Sequence, residues 1–446
     1  MGILDEKKIA LISLGCDKNL ADSEVMLGIL SEEGAITTVD EELADIIIIN
    51  TCGFIADATD ESVQTVFRAL EYKKERNVAV IVAGCAAARY REKIFEEIPD
   101  IDAIVAPTDI ADLPKIAADV LKGQKICAVS DPDTSIPEEI LEKRVLTGES
   151  YAYLKIAEGC DNRCTYCTIP SLRGKYRSRS EDALLREANA LAANGTKEII
   201  LVAQDTSLYG TDIYGKQTLH RLLQNLSQIE GIRWIRLLYC YPEHIYSELI
   251  QEMATNEKVC KYIDMPIQHS ETSVLEAMGR HSSKESVISV IENLRSRVKG
   301  IIIRTTIMTG FPTESKTDFQ NLLAFLKEVR FDKLGAFSYS QEEGTKAAEM
   351  PQLSEKTRET RKNRVMELQA AISQEEQKKF VGGVYDCFVG GAVPYEKNMY
   401  FGRIYADAPD VDGVTYFSAK QKLSSGDFVK VRITNSLEYD LEGEII

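Results

Sequence analysis

The chain has 446 residues, of which 44% are hydrophobic and 28% charged, ordinary proportions for a soluble globular protein. That length suffices for two to four domains, each with its own core. The formal net charge of −17 excludes a simple nucleic-acid coat.

The start of the chain has no apolar stretch of signal-peptide length, and its longest apolar runs, such as 46–49, are too short to span a bilayer. The expectation is a cytoplasmic protein with no membrane partner. Ten cysteines in a reducing compartment point to metal or redox chemistry rather than cross-links. Residues 1–125 carry 13 Lys and Arg against 24 Asp and Glu, and residues 380–446 carry 6 against 10. Neither end is a polyanion-binding surface by net charge, and a basic protein partner suits both better.

Apolar strands alternate with helical patterns from the start. Strands are predicted near 9–14, 45–49 and 78–83, with helices near 22–33, 57–76 and 88–97. Continuous Val/Ile runs between helices indicate a parallel sheet covered on both faces, hence a doubly wound α/β domain over 6–122. Each predicted strand is followed closely by a cysteine: Cys16, Cys52 and Cys85. Ligands bind at that edge of doubly wound sheets, so three cysteines at equivalent positions read as a cluster site rather than as small core residues. Residues 123–145 are turn-rich around 131–137 and read as a linker.

From 146 to 376 the alternation resumes. Strands near 151–157, 198–203, 233–239, 261–267, 301–308 and 333–339 alternate with helices near 180–194, 217–228, 243–254, 283–298 and 314–328. Six such repeats predict a partial (β/α)6 barrel with functional residues at the strand carboxyl ends.

Cys160, Cys164 and Cys167 follow the first of these strands on one tight loop. No fourth cysteine lies nearby, and the nearest histidine along the chain is His220. A structural zinc site normally has four protein ligands. Three thiolates fit an iron–sulfur cluster with one iron left open. The remaining cysteines, Cys127, Cys240, Cys260 and Cys387, are expected in core packing.

A long charged helix is predicted over 354–380, with Ser354 as N-cap. Its Lys356, Arg358, Arg361, Lys362 and Arg364 read as a solvated face. Short strands with turn signals over 379–446 predict a small antiparallel β-barrel of oligonucleotide-binding type.

The loop Ala157-Glu-Gly-Cys-Asp-Asn-Arg-Cys-Thr-Tyr-Cys-Thr-Ile-Pro170 and the segment Ser13-Leu-Gly-Cys-Asp-Lys-Asn-Leu-Ala-Asp-Ser-Glu24 resemble the radical S-adenosylmethionine methylthiotransferases. The resemblance covers nearly the whole chain, including a terminal TRAM barrel. Segment 169–179, with 203–207, 264–269 and 342–345, is similar to the RimO-type branch, which modifies an aspartate of a small-subunit ribosomal protein. The alternative is the transfer-RNA (MiaB-type) branch. A non-catalytic iron–sulfur carrier is the alternative of another class. Asp17, Ala21 and Met308-Thr309 depart from the usual pattern.

The resemblance implies two [4Fe–4S] clusters, one on Cys160, Cys164 and Cys167 and one on Cys16, Cys52 and Cys85, together with S-adenosylmethionine. The first generates a 5′-deoxyadenosyl radical that removes hydrogen from the aspartate β-carbon, and the second carries the sulfur. An electron donor and a sulfur source are implied as partners. Tyr166, Gln204 and Asp205 are the implied cofactor contacts. Arg173, Lys175, Arg177 and Arg179 are candidates for guiding a carboxylate, with at least two of the four expected as solvated charges. His269 is expected to be packed or hydrogen-bonded rather than catalytic.

Overall fold

A computed structural model of the chain describes residues 2–146 and 150–446. The chain forms two compact units. The first comprises residues 1–147, 153–187 and 340–345; the second comprises 148–152, 188–339 and 346–446. The loop bearing Cys160, Cys164 and Cys167 therefore packs with the amino-terminal sheet. The expected domain start at 146 adjoins residues 147–149, which lie outside the described residues.

The first unit is built on β1 (Lys8–Ser13), α1 (Asp17–Glu32), β2 (Ile36–Thr38), β3 (Ile46–Thr51), α2 (Ala56–Glu75), β4 (Ala79–Gly84), α3 (Cys85–Tyr90), β5 (Ala103–Val105) and β6 (Ile126–Ala128). Among the described residues the sheet has six strands, ordered β2-β1-β3-β4-β5-β6, with every pair parallel. The run Ile46 to Ile49 explains the double cover. Ile46 and Ile48 face Val25, Met26, Ile29 and Leu30 of α1, whereas Ile47 and Ile49 face Val66, Ala69 and Leu70 of α2. Strands β2, β5 and β6 escaped the sequence reading because three residues are too few to show a period. Part of the expected linker 123–145 is accordingly structured, since β6 adds to the sheet edge and a short helix forms at Glu138–Leu141.

The second unit contains a sequentially ordered parallel sheet. Its strands are β10 (Glu198–Val202), β11 (Trp234–Leu237), β12 (Val259–Asp264), β13 (Ile302–Thr309) and β14 (Lys333–Ser338), together with the first two residues of β7 (Tyr151–Lys155), whose remainder belongs to the first unit. Between β7 and β10 the chain forms a two-stranded ribbon of β8 (Ala157–Glu158) and β9 (Arg177–Ser178), which belongs to the first unit.

The carboxyl-terminal strands β15 (Val384–Ala392), β16 (Met399–Arg403), β17 (Thr415–Ser418), β18 (Phe428–Ser436) and β19 (Leu441–Ile445) close into a barrel. Its pairs are antiparallel except β17 with β19, which run parallel.

The helix Glu355–Gln377 is capped by Ser354, whose hydroxyl accepts from Thr357 N–H. Its basic face is less solvated than expected. Arg358 donates to Tyr339 O at 2.7 Å, and Arg361 is buried, donating to Glu314 O at 2.8 Å. No helix among the described residues is long and apolar enough to cross a membrane.

Candidate metal centre

Strand register explains why three distant cysteines meet. Ser13 of β1 lies opposite Asn50 of β3, and Asn50 lies opposite Ala83 of β4, so the three strands end level. The chain then turns, reaching Cys16 three residues after Ser13 and Cys52 and Cys85 two residues after Asn50 and Ala83. Because β1 leads outward to β2 and β3 starts the opposite direction, the β1/β3 boundary is the switch point at which such sheets bind ligands.

Polar side chains lock these turns together. Asn19 donates through Nδ2 to Leu14 O and Thr51 O, both at 3.0 Å. Asn50 Nδ2 donates to Asn19 O at 2.8 Å and Ser23 Oγ at 2.9 Å. Ser62 Oγ accepts from Cys52 N–H at 3.2 Å and donates within the same loop. Gly15, at φ +89°, is needed for close approach: a Cβ there would lie 2.7 Å from Cys52 Cβ.

Cys52 and Cys85 are buried and Cys16 is exposed. Cys16 and Cys85 lie near enough to Cys52 to raise its pKa, and Cys16 does the same to Cys85. Burial is the larger cause at Cys52, whose thiol is pushed up to about 11. Metal binding overcomes that cost by taking the thiolate directly. No three His, Cys, Asp or Glu side chains among the described residues are grouped to hold a single ion. Three cysteine thiols are the soft donor set that an iron–sulfur cluster takes.

The second triplet lies on the loop between β8 and β9. Cys160 N–H donates to Gly174 O at 3.0 Å, pinning the two ends of the loop together. Cys160 and Cys164 are buried, Cys167 is half-buried, and Ile169 N–H donates to Cys167 Sγ at 3.4 Å. Tyr166 is half-buried between the last two cysteines.

The basic residues after this loop depart from expectation. Only Lys175 is well exposed. Arg173 is 2% exposed, with Nη1 donating to Asp22 Oδ2 at 2.7 Å and to Glu158 Oε2 at 3.1 Å. Its Nη2 donates to Asn19 Oδ1 at 2.7 Å and Cys85 Sγ at 3.3 Å. Lys155 pairs with the same Asp22 and with Glu158 at 2.6 Å. Arg179 pairs with Glu187 at 2.6 Å, and Arg177 donates to Lys175 O, Pro132 O and Arg173 O. Buried charges need partners, and these have found them inside the fold. Sequence reading missed Asn19, Asp22, Asn50, Ser62 and Lys155. For Asn19 and Asp22 the available signal was polar residues set among the apolar ones of α1.

Gln204 and Asp205 follow β10 in the other unit. Asp205 is fully buried, accepting from Ser207 Oγ at 2.6 Å through Oδ1 and lying 2.7 Å from His244 Nδ1 through Oδ2. Burial disfavours the charged form of His244, but the hydrogen bond and charge of Asp205 outweigh it and raise the pKa. His269 is fully buried, with Nδ1 accepting from Glu271 N–H at 3.0 Å, a packed role as expected. Cys240, Cys260 and Cys387 are buried, but Cys127 is exposed on the edge strand β6, against the core role expected for it.

Known proteins resemble the chain along its whole length. The uncharacterized protein family UPF0004 matches residues 8–106, the Radical SAM superfamily residues 154–326, and the TRAM domain residues 381–446. A protein of Acetivibrio thermocellus, "Ribosomal protein uS12 methylthiotransferase RimO", is 46% identical over 99% of both chains. Its namesake from Caldicellulosiruptor saccharolyticus is 44% identical over 98% of this chain and 100% of its own. Among solved structures, the radical S-adenosylmethionine methyltransferase TsrM of Kitasatospora setae, with cobalamin and a [4Fe-4S] cluster bound, superposes with a TM-score of 0.55. It covers 75% of this chain and 72% of its own at 13% identity, a likeness of fold alone.

Proposed function

The chain belongs to the RimO family of radical S-adenosylmethionine methylthiotransferases, and from that membership we propose that it adds a methylthio group to the β-carbon of an aspartate in ribosomal protein uS12. The observation that carries the reading is the packing of both cysteine triplets in one compact unit. A carrier needs only one fully ligated cluster, whereas two sets of three thiols leave two irons open. The acidic carboxyl-terminal barrel favours a basic ribosomal protein over transfer RNA, whose phosphates call for a basic surface.

When bound, [4Fe–4S] clusters on Cys160, Cys164 and Cys167 and on Cys16, Cys52 and Cys85 supply reductive cleavage of S-adenosylmethionine and an iron site for sulfur. Around them the chain's own residues position and shield. The β8–β9 ribbon and the Cys160–Gly174 hydrogen bond hold the first triplet on a closed loop. Asn19, Asn50 and Ser62 fix the turns of the second. Gln204 and Asp205, the latter held by Ser207 and His244, would contact the amino-acid part of S-adenosylmethionine. The reaction draws on an electron donor and a sulfur source, and its ribosomal substrate places it in the cytoplasm.

The test is a substrate comparison. Anaerobically reconstituted, reduced protein with S-adenosylmethionine is incubated with uS12 or with transfer RNA, and products are weighed by mass spectrometry. A gain of one methylthio group on the uS12 aspartate is expected. A gain on RNA and none on protein overturns the proposal.

A further inference from the structure

Within the first unit, Arg173 belongs to the loop of one cysteine triplet and sends its side chain to the other. It stands at the returning end of the Cys160 loop, next to Gly174, whose carbonyl pins Cys160. Its guanidinium nevertheless reaches into the turns of the other triplet. The two Nη2 hydrogens go to Asn19 Oδ1 and Cys85 Sγ. Asn19 in turn holds Leu14 O and Thr51 O, the carbonyls that precede the Cys16 and Cys52 turns. Arg173 thus grips one ligand directly and the other two through a single amide.

We propose that Arg173 is a positioning residue for a cluster on Cys16, Cys52 and Cys85, holding Cys85 in place and raising that cluster's reduction potential through its N–H···S hydrogen bond. Reduction adds one electron to the cluster, with no bond made or broken. A donor aimed at a ligand sulfur stabilises the extra negative charge, one of the levers by which proteins set such potentials.

Net charge alone does not explain the arrangement. Asp22 and Glu158 balance Arg173 and Lys155, so the four-group cluster is formally neutral. Direction is what the guanidinium adds. Its planar fork sends Nη1 to the carboxylates and Nη2 to the sulfur side at once, with 2% of the residue exposed. A lysine ammonium keeps the charge but donates from a single point and cannot serve both sides.

The inference rests on the cluster assignment made above, and one experiment separates the two. Full-length protein is prepared with Cys160→Ala, Cys164→Ala and Cys167→Ala, so that only the amino-terminal triplet can hold iron. A reciprocal background carries Cys16→Ala, Cys52→Ala and Cys85→Ala. Each is made with Arg173 and with Arg173→Lys, reconstituted anaerobically, titrated with dithionite, and followed by iron analysis and electron paramagnetic resonance.

If the amino-terminal triplet with Arg173 intact holds no iron, the cluster assignment itself fails. If it holds about four irons, Arg173→Lys is expected to lower its midpoint potential and alter its resonance spectrum. The reciprocal cluster is then expected to be unchanged. Iron lost from the amino-terminal triplet alone also supports the positioning role. An unchanged potential and spectrum, or equal shifts or losses in both backgrounds, overturns it.

Discussion

Glu198 opens β10 fully buried between two arginines, with Oε1 2.7 Å from Arg236 Nε and Oε2 2.7 Å from Arg403 Nη2. Arg403 ends β16 of the terminal barrel, and Arg236 also donates to Tyr405 O at 2.8 Å. The carboxylate is therefore the joint between the two sheets of the second unit. Burial disfavours its charge, but the two guanidiniums more than compensate and hold its pKa below the ordinary glutamate value. Glu198→Ala leaves both cations buried without their counter-ion, a loss of about 3–5 kcal/mol for breaking a buried pair. At about 3 kcal/mol per molar, the urea midpoint should fall by roughly 1–2 M.

The assay is built into the chain. Its single tryptophan, Trp234, packs edge-on against Phe428 of the terminal barrel with ring centroids 4.9 Å apart, and stacks near Phe388 at 6.3 Å. Tryptophan fluorescence during urea titration therefore reports separation of the two sheets. The partner change Arg403→Ala should be non-additive with Glu198→Ala by about 1–3 kcal/mol, because each removes the same contact. A loss under about 1 kcal/mol, the range of exposed pairs, or a strictly additive cycle refutes the reasoning.

Two further outcomes follow from the sites themselves. Gly15→Ala places a Cβ 2.7 Å from Cys52 Cβ at a φ of +89°, so the amino-terminal triplet should lose its iron while the Cys160 loop keeps its own. Iron analysis at the full wild-type level sinks that expectation. The pKa of His244 is raised by Asp205, so this pair stabilises the fold fully below the free histidine value near 6.5 and fades as pH rises through the raised folded value. Isotope-edited NMR of the imidazoles, compared with a His244→Gln variant, should find its midpoint above that of free histidine; a midpoint at or below it contradicts the assignment.

Much of the architecture was legible from periodicity. The Ile46–Ile49 run announced a sheet covered on both faces, and the spacing of strands after 151 announced a sequential parallel sheet. Strands β2, β5 and β6 were not legible, because a three-residue segment shows no repeat and is made a strand by its neighbours' hydrogen bonds. The parallel pairing of β17 with β19 was likewise invisible, since direction depends on where a long loop returns the chain.

The cysteines were readable because their chemistry is local. Six residues of one soft-ligand type, three in one loop and three at strand ends, announce a donor set whatever surrounds them. Charge has no such autonomy. Arg173 and Arg179 looked like free cations beside a loop, and only the fold revealed that Asp22, Glu158, Asn19 and Glu187 had taken them. Local pattern determined the longer strands and marked the six cysteines as candidate ligands, since hydrophobic period and ligand type act over a few neighbours. Tertiary structure alone decided where each charge is neutralised, because a buried ion is satisfied by partners more than 100 residues away along the chain.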